Sequence, residues 1–563
     1  MRKRMATVRI AAALAVFAAL VALASRHQAN LNVVNREADA AETQEILRLN
    51  DVQAASVPVQ PLMAIEDTWD IEDTHEPADV PLVTRMRQGE SELGYDAQTQ
   101  TFYCTLGMNQ EEWPQLDLQA AGDETLQVAW ADDYAWDEVK SAIREGNAYR
   151  LLAWTDSAYS YVNIVFTGLP LVTMHVTDYD GLGDEYMPAR FTMSSWDYPA
   201  VDLPAKTHLR SGGYSKRFDK WSYRVELQRR TNKGRFAANK VSLLGIEPDS
   251  DWLLISNASD DVVIRNHLGF ELWNRWYPEG DGVCMLQSRL VEVFVQDQYM
   301  GLYQLLQPVR PAKEIARLGG SLSTDGVARI IKRKNIGKRP VENLSKRCEF
   351  VLEMRQVPDG TLETGLQIFD ALIRLQTMRK SDLYMSNEDF IPLAIESSEP
   401  KSLMNYYLFT QAAGLPYDNV FNNVYITAIR RDGHYVYYFS PWDMDMGFKQ
   451  LFHSDRDDLN LWLVLPTRML DLGVGGVREA AWEIWHEKRA GILSDDAIYE
   501  WMMGVEEYVN ASGAFLRETE KWRGEPETLN LEGLRYFMTE HMKTIEAFVE
   551  DPWRPEGVPE EEI

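Results

Sequence analysis

Cysteine is scarce. The 563 residues hold three, Cys104, Cys284 and Cys348, enough for one disulfide at most, which excludes a disulfide-stapled scaffold. No Cys-x-x-Cys pair and no His-rich spacing occurs, so a structural zinc site is not supported. Positive charge is the minority sign: 57 Lys and Arg stand against 86 Asp and Glu. The net −29 repels a phosphate backbone and argues against nucleic acid as a partner. Long apolar runs are confined to one place, Ile10 to Ala24, an uncharged stretch of 15 residues. It follows the basic Met1-Arg2-Lys3-Arg4 and closes on Ala22-Leu23-Ala24, the layout of a cleavable export signal. The run falls short of the ~20 residues a spanning helix needs, so a membrane partner is expected only if residues 1–24 stay uncleaved. No repeat of solenoid length is present.

What is there divides by texture. Residues 25–90 have few long apolar segments and read as an acidic linker. Residues 91–165 alternate short strands with polar turns, with one helix at 135–145, and read as a small β-rich module whose aromatics serve its core or a binding face. From 166 onward strands and helices mix. The segments 478–490, 496–522 and 531–551 place apolar residues at helical spacing, a helical C-terminal part at about 470–550. With 45% apolar residues the chain can bury more than one core.

Chemistry-bearing residues concentrate in 401–449. A helical pattern through Met404, Tyr407, Leu408 and Gln411 ends at Gly414 and Pro416, and Asp418 opens the next loop. Asn423 lies five positions on. Val424 to Ile429 and His434 to Phe439 then read as two strands about an Asp432-Gly433 turn, ending in Trp442-Asp443-Met444-Asp445. A two-stranded ribbon brings its ends together, so Asp418, Asn423, Asp443 and Asp445 offer hard oxygen ligands suited to Mg²⁺ or Mn²⁺ with phosphate completing the shell. The order Asp, Asn five later, then Asp and Gly beyond a hairpin is that of kinase base and metal ligands. On spacing alone a second reading stands beside it, in which these residues are turn and cap formers.

Upstream, Arg210-Ser211-Gly212-Gly213-Tyr214-Ser215-Lys216 places glycines, serines and cations between two strands. It is either a phosphate cradle or an ordinary hairpin turn. The strand after it puts Lys220, Ser222, Arg224 and Glu226 on one face and Trp221, Tyr223, Val225 and Leu227 on the other. Asp260-Asp261 read as the cap of a helix over 262–276 that carries Arg265, Asn266 and Glu271. Lys332 to Lys346 is a basic run that serves either as a solvated face or as a flank to phosphates.

The stretches RSGGYSKRFDKWSYRVEL (210–227), LLGIEPDSDWLLISNASDDVVIRNHLGFELW (243–273), VEVFVQDQYMGLYQLLQ (291–307), DNVFNNVYI and SPWDMDMGF occur in one order. In them the chain, over roughly 165–550, resembles the CotH family of secreted atypical protein kinases, first associated with spore coats. The resemblance implies an α+β, atypical protein-kinase-like fold over 166–563 with a C-terminal helical subdomain. It implies transfer of the γ-phosphate of ATP, with Mg²⁺ or Mn²⁺, to Ser or Thr of an extracellular or coat protein. Carried over position by position, Asp418 is the catalytic base and Asn423, Asp443 and Asp445 hold metal. Lys220, with Arg224 as competitor, and Arg210, Ser215, Lys216, Arg265, Gln307 and Trp442 face the nucleotide. Glu271 is a candidate partner of Lys220, a solvated helix position being the alternative. The family usually carries Glu where this chain has Gln307, which leaves a non-catalytic binding or coat-assembly protein as the alternative function. The acidic balance points to basic segments around the acceptor hydroxyl.

Overall fold

In a computed structural model of the chain, the described residues are 57–58, 69–107, 116–120, 126–131, 139–210, 217–277, 287–332, 341–343, 350–377, 384–416, 419, 422–449 and 464–555. The expected signal segment 1–24 lies outside them. Helix and strand are mixed in near-equal parts. No described helix is long and apolar enough to cross a membrane.

The β-rich module starts earlier than expected. The helix Trp69–Thr74 and the strands Glu76–Pro77 and Val83–Gln88 belong to it, the last pairing with Asp117–Ala120. Val83 and Met86 are buried, but a register shift between Val83 and Arg85 breaks the two-residue period that would have marked a strand in the sequence. A second sheet orders Gly94–Asp96, Thr101–Thr105, Ala158–Thr167, Ala148–Trp154 and Gln127–Trp130. Phe102, Trp130, Tyr149 and Phe166 fill the core between these strands, which settles the use of those aromatics as packing. Cys104 is a buried free thiol in the same core.

Behind the module lies an eight-stranded sheet. Its order is Val201–Leu209, Met187–Ser194, Leu171–Val176, Ser288–Val295, Gln298–Leu306, Asp251–Ile255, Tyr223–Arg230 and Phe236–Ala238. Neighbours are antiparallel except Leu171–Val176 beside Ser288–Val295. Because side chains alternate along a strand, the sheet buries two faces. Tyr223, Val225, Leu227, Val293, Tyr303 and Leu305 form one core. Leu253, Ile255, Leu290, Leu302 and Leu306 turn the other way, onto the core that includes the helix Arg265–Trp276.

A five-stranded sheet follows, ordered Val341–Asn343, Phe350–Gln356, Gly326–Lys332, Val424–Arg431 and His434–Pro441. The last two are the expected hairpin, turning on Asp432 (φ 47°) and Gly433 (φ 95°), residue types that tolerate positive φ. The helix Pro400–Ala412 is buried on almost every side, which explains its weak amphipathic signal, and Gly414 (φ 56°) ends it. Its Met404 and Tyr407 share a core with Met538, Met542 and Ile545 of the helix Glu532–Glu550, so the C-terminal helices close the same core as the hairpin. The segment 496–522, read from sequence as one helical pattern, breaks into Asp495–Ala511 and Ala514–Arg523 at Gly513 (φ 69°). A Cβ at that position would lie 2.2 Å from the Ile143 carbonyl oxygen of the module.

Two buried ion pairs fasten the Ala514–Arg523 helix to the large sheet. Arg517 meets Glu292 at 2.8 Å, joined by the Thr167 and Tyr299 hydroxyls. Glu518 meets Lys220 at 2.6 Å and also accepts the Leu302 N–H at 2.7 Å.

Candidate active site

The hairpin brings its two ends into register. Val424 pairs with Pro441, and the Trp442 N–H donates to the Asn423 carbonyl at 2.9 Å. Asp443 follows at once with φ 59°, a left-handed conformation that Asp adopts more readily than most residues. Side-chain amides hold the peptides around it. Asn419 Nδ2 donates to the Trp442 and Asp443 carbonyls at 2.9 and 3.1 Å. Asn266 Oδ1, on the Arg265–Trp276 helix, accepts the Met444 N–H at 2.8 Å. The buried Met444 side chain fits against Gly269, where a Cβ would approach its own Cβ to 2.8 Å. Trp442 packs between the rings of Phe270 and Tyr425, with centroids 5.7 and 5.9 Å away.

Cations gather on the same place. Arg329 donates to Asn423 Oδ1 at 3.0 Å, and its guanidinium stands 5.6 Å from the centroid of the Tyr425 ring, with Arg355 5.9 Å from that centroid. Burial pulls the Arg210 guanidinium below its ordinary pKa; Asp443 opposes this, while the positive charges of Arg329 and Arg224 reinforce it. Arg210, Arg224, Arg329 and Asp443 therefore lie within electrostatic reach of one another. Such a clustering of like charge is costly unless an anion relieves it.

The other expected site residues divide into those the structure commits elsewhere and those it does not describe. Asp418, Ser215 and Lys216 lie outside the described residues, as does most of the basic run 332–346. Lys220 precedes its strand, which begins at Tyr223, and its buried ammonium is bonded to Glu518 and to the Leu302 carbonyl at 2.7 Å. It also sits 4.7 Å from the centroid of the Tyr303 ring, on the sheet face opposite the one that Gln304 presents to Asn266. Burial lowers its pKa against the pull of Glu518. Glu271 is not its partner: that carboxylate takes His267 at 3.4 Å and the Trp501 indole N–H at 2.8 Å. Against the effect of burial, these bonds bring its pKa down to about 2. Arg224 forks onto Asp251, and Arg265 onto Asp260 and Asp261. The helix starts at Arg265, later than expected, because Asp260 spends one carboxylate oxygen on the Arg265 N–H at 2.7 Å. Gln307 Nε2 donates to the Glu247 carbonyl.

Among the described residues no three His, Cys, Asp or Glu side chains converge as a metal cage. Asp445 accepts from Ser259 at 3.1 Å. The Asp443 carboxylate has no hydrogen-bond partner among the described residues, and neither does the buried Asn419 Oδ1. Hard, unshared oxygens of this kind fit a small divalent cation that takes its remaining ligands from phosphate and water. Asn423 Oδ1 already accepts from Arg329 and, at 3.1 Å, from Asn422, so it must release a donor to ligate.

Residues 210–339 match the family model described as CotH kinase protein. The match covers part of the chain and supports membership of the CotH family. The matched stretch contains Arg210, Arg265, Gln304 and Arg329 and ends before the hairpin that carries Asn423 and Asp443. No curated protein matches the chain. Reading the sequence missed Arg329, Arg355, Asn419 and Gln304. Arg329 sits in an apolar strand just ahead of the basic run, and only strand pairing with Tyr425 brings it to the hairpin.

Proposed function

We propose that this CotH-family chain is an exported kinase that transfers the γ-phosphoryl group of ATP to a protein Ser or Thr, with Mg²⁺ or Mn²⁺. The observation that carries the reading is the meeting of Asn423, the strained Asp443 and the arginines Arg210 and Arg329 at the open end of one hairpin. Phosphoryl transfer asks for positioning and charge neutralisation more than for covalent chemistry. A bound cation would supply charge neutralisation to the phosphate. Asp443 would hold it, with Asn423 and Asp445 as further candidate ligands. Arg210, which the resemblance already placed at the nucleotide, and Arg329 take the phosphate charge that the resemblance also assigned to Lys220. Asp418 accepts or orients the acceptor hydroxyl proton. Residues 211–216 flank the triphosphate.

The acceptor is a basic segment, in keeping with the net charge of −29. Export through residues 1–24 leaves a mature chain beginning near Ser25, and N-terminal sequencing that returned Met1 would remove that inference. A second reading, a binding or coat-assembly protein without turnover, is favoured by the Arg329 hydrogen bond on Asn423 Oδ1 and by Gln307 in place of Glu. Incubating the full chain with labelled ATP and either cation separates the two. Label entering the chain or a basic Ser/Thr peptide, dependent on metal, supports the kinase. Metal-dependent ATP binding with no transfer supports the second reading.

A further inference from the structure

The Arg265–Trp276 helix reaches the hairpin through Asn266, which is 2% exposed. Its Oδ1 accepts the Met444 N–H at 2.8 Å and its Nδ2 donates to Gln304 Oε1 at 2.7 Å. The two ends of an amide differ in chemistry and hardly at all in shape. Without a second partner, Asn266 could turn its NH₂ toward the Met444 N–H, one donor facing another. Gln304 prevents this by offering an acceptor to the NH₂. Gln304 is itself fully buried, and its Nε2 has no partner, a condition that costs about 1–3 kcal/mol. Flipping Gln304 would set two NH₂ groups against each other, so the orphan donor is retained and the orientation is fixed.

The consequence falls on Asp443. Asn419 grips the carbonyls of Trp442 and Asp443, and Asn266 grips the N–H of Met444, so the peptide planes on both sides of Asp443 are held. That keeps a residue at φ 59° in place. We propose that Asn266, oriented by Gln304, is a positioning residue that fixes where the Asp443 carboxylate meets its cation. The inference rests on the kinase reading of Asp443. Loss of such a supporting contact typically lowers metal affinity about 10–100-fold.

The test uses the full chain with Gln304→Met and Asn266→Asp. Gln304→Met removes one unpaired buried donor and leaves another, Asn266 Nδ2, so the melting temperature stays close to the parent. Amide hydrogen exchange of residues 442–446 accelerates, and Mg²⁺-dependent ATP affinity falls about 10–100-fold. Asn266→Asp still accepts from Met444 and lets Gln304 turn its NH₂ inward, so exchange protection is kept. A lowered melting temperature in Gln304→Met with exchange and affinity unchanged overturns the proposal, as does loss of protection in Asn266→Asp. If the parent binds no Mg²⁺–ATP, the kinase reading fails by itself. The clamp is then decided by exchange: faster in Gln304→Met and retained in Asn266→Asp supports it, and equal rates in all three overturn it.

Discussion

Lys220 is where kinase precedent and this structure part, and the Lys220–Glu518 pair gives the sharpest test. Both side chains are nearly inaccessible, at 3% and 5%, and stand 2.6 Å apart. Removing one member of a buried pair strands the other charge and costs about 3–5 kcal/mol. Lys220→Met should fall in that range. Glu518→Ala should fall there too, since each substitution also takes a backbone partner from Leu302, the donor to its carbonyl in one case and the acceptor of its N–H in the other, a further ~1–3 kcal/mol each. The double substitution Lys220→Met/Glu518→Leu buries no charge and should cost less than Glu518→Ala alone. Urea unfolding followed by tryptophan fluorescence measures these differences. Calorimetric titration with ATP and Mg²⁺ on the folded Lys220→Met protein measures the other half: affinity should stay within a few-fold of the parent, because the ammonium is consumed inside the protein. A tenfold or greater loss in a folded Lys220→Met would refute the reasoning and restore Lys220 to the nucleotide.

The two acidic loops should respond differently to substitution. Asp418→Asn should lower turnover roughly 10²–10⁴-fold, as for a lost general base, with ATP affinity little changed; Asp443→Asn should weaken metal-dependent ATP binding along with turnover. Equal loss of melting temperature with unchanged ATP binding in both would return them to turn and cap roles. Gly301→Ala should act through Glu518. At φ 94° an added Cβ would lie 2.0 Å from Glu518 Oε2, so backbone strain of about 1–3 kcal/mol adds to a displaced ion pair, and denaturation with and without Glu518→Ala should show the two changes to be non-additive. Burial holds His541 below its ordinary pKa, against its hydrogen bond to the Gln411 carbonyl. The folded state therefore stays neutral while the unfolded chain takes up a proton below about pH 6.5. Stability should fall on acidification from pH 7 to pH 5. His541→Gln, which keeps a donor for that carbonyl, should flatten the fall in melting temperature, and an unchanged slope would assign the effect to other groups.

Local pattern was legible in the sequence wherever one face of an element is buried and the other is not. The Tyr223–Leu227 alternation, the Asp432-Gly433 hairpin and the amphipathic C-terminal helices could be read directly, since each signal lies within a few residues. The family resemblance was legible too, in motifs whose order survives without any coordinates, and the match over residues 210–339 supports it. The order Asp418, Asn423, Asp443 could be read as chemistry or as turns, and the hairpin register adds that Asn423 and Asp443 adjoin. Signals weakened where burial is total or pairing irregular: the all-round burial of Pro400–Ala412 blurred its face, and the register shift after Val83 hid the start of the module. What only the tertiary structure decided is which partner each charge takes. Lys220 and Glu518 are 298 residues apart in the chain, Arg329 and Asn423 94, and Asn266 and Met444 178. No local periodicity encodes such separations. A lysine beside a strand looks the same in sequence whether its ammonium meets a nucleotide or a buried glutamate, because the choice is made by the packing of a distant helix against the central strands of the sheet.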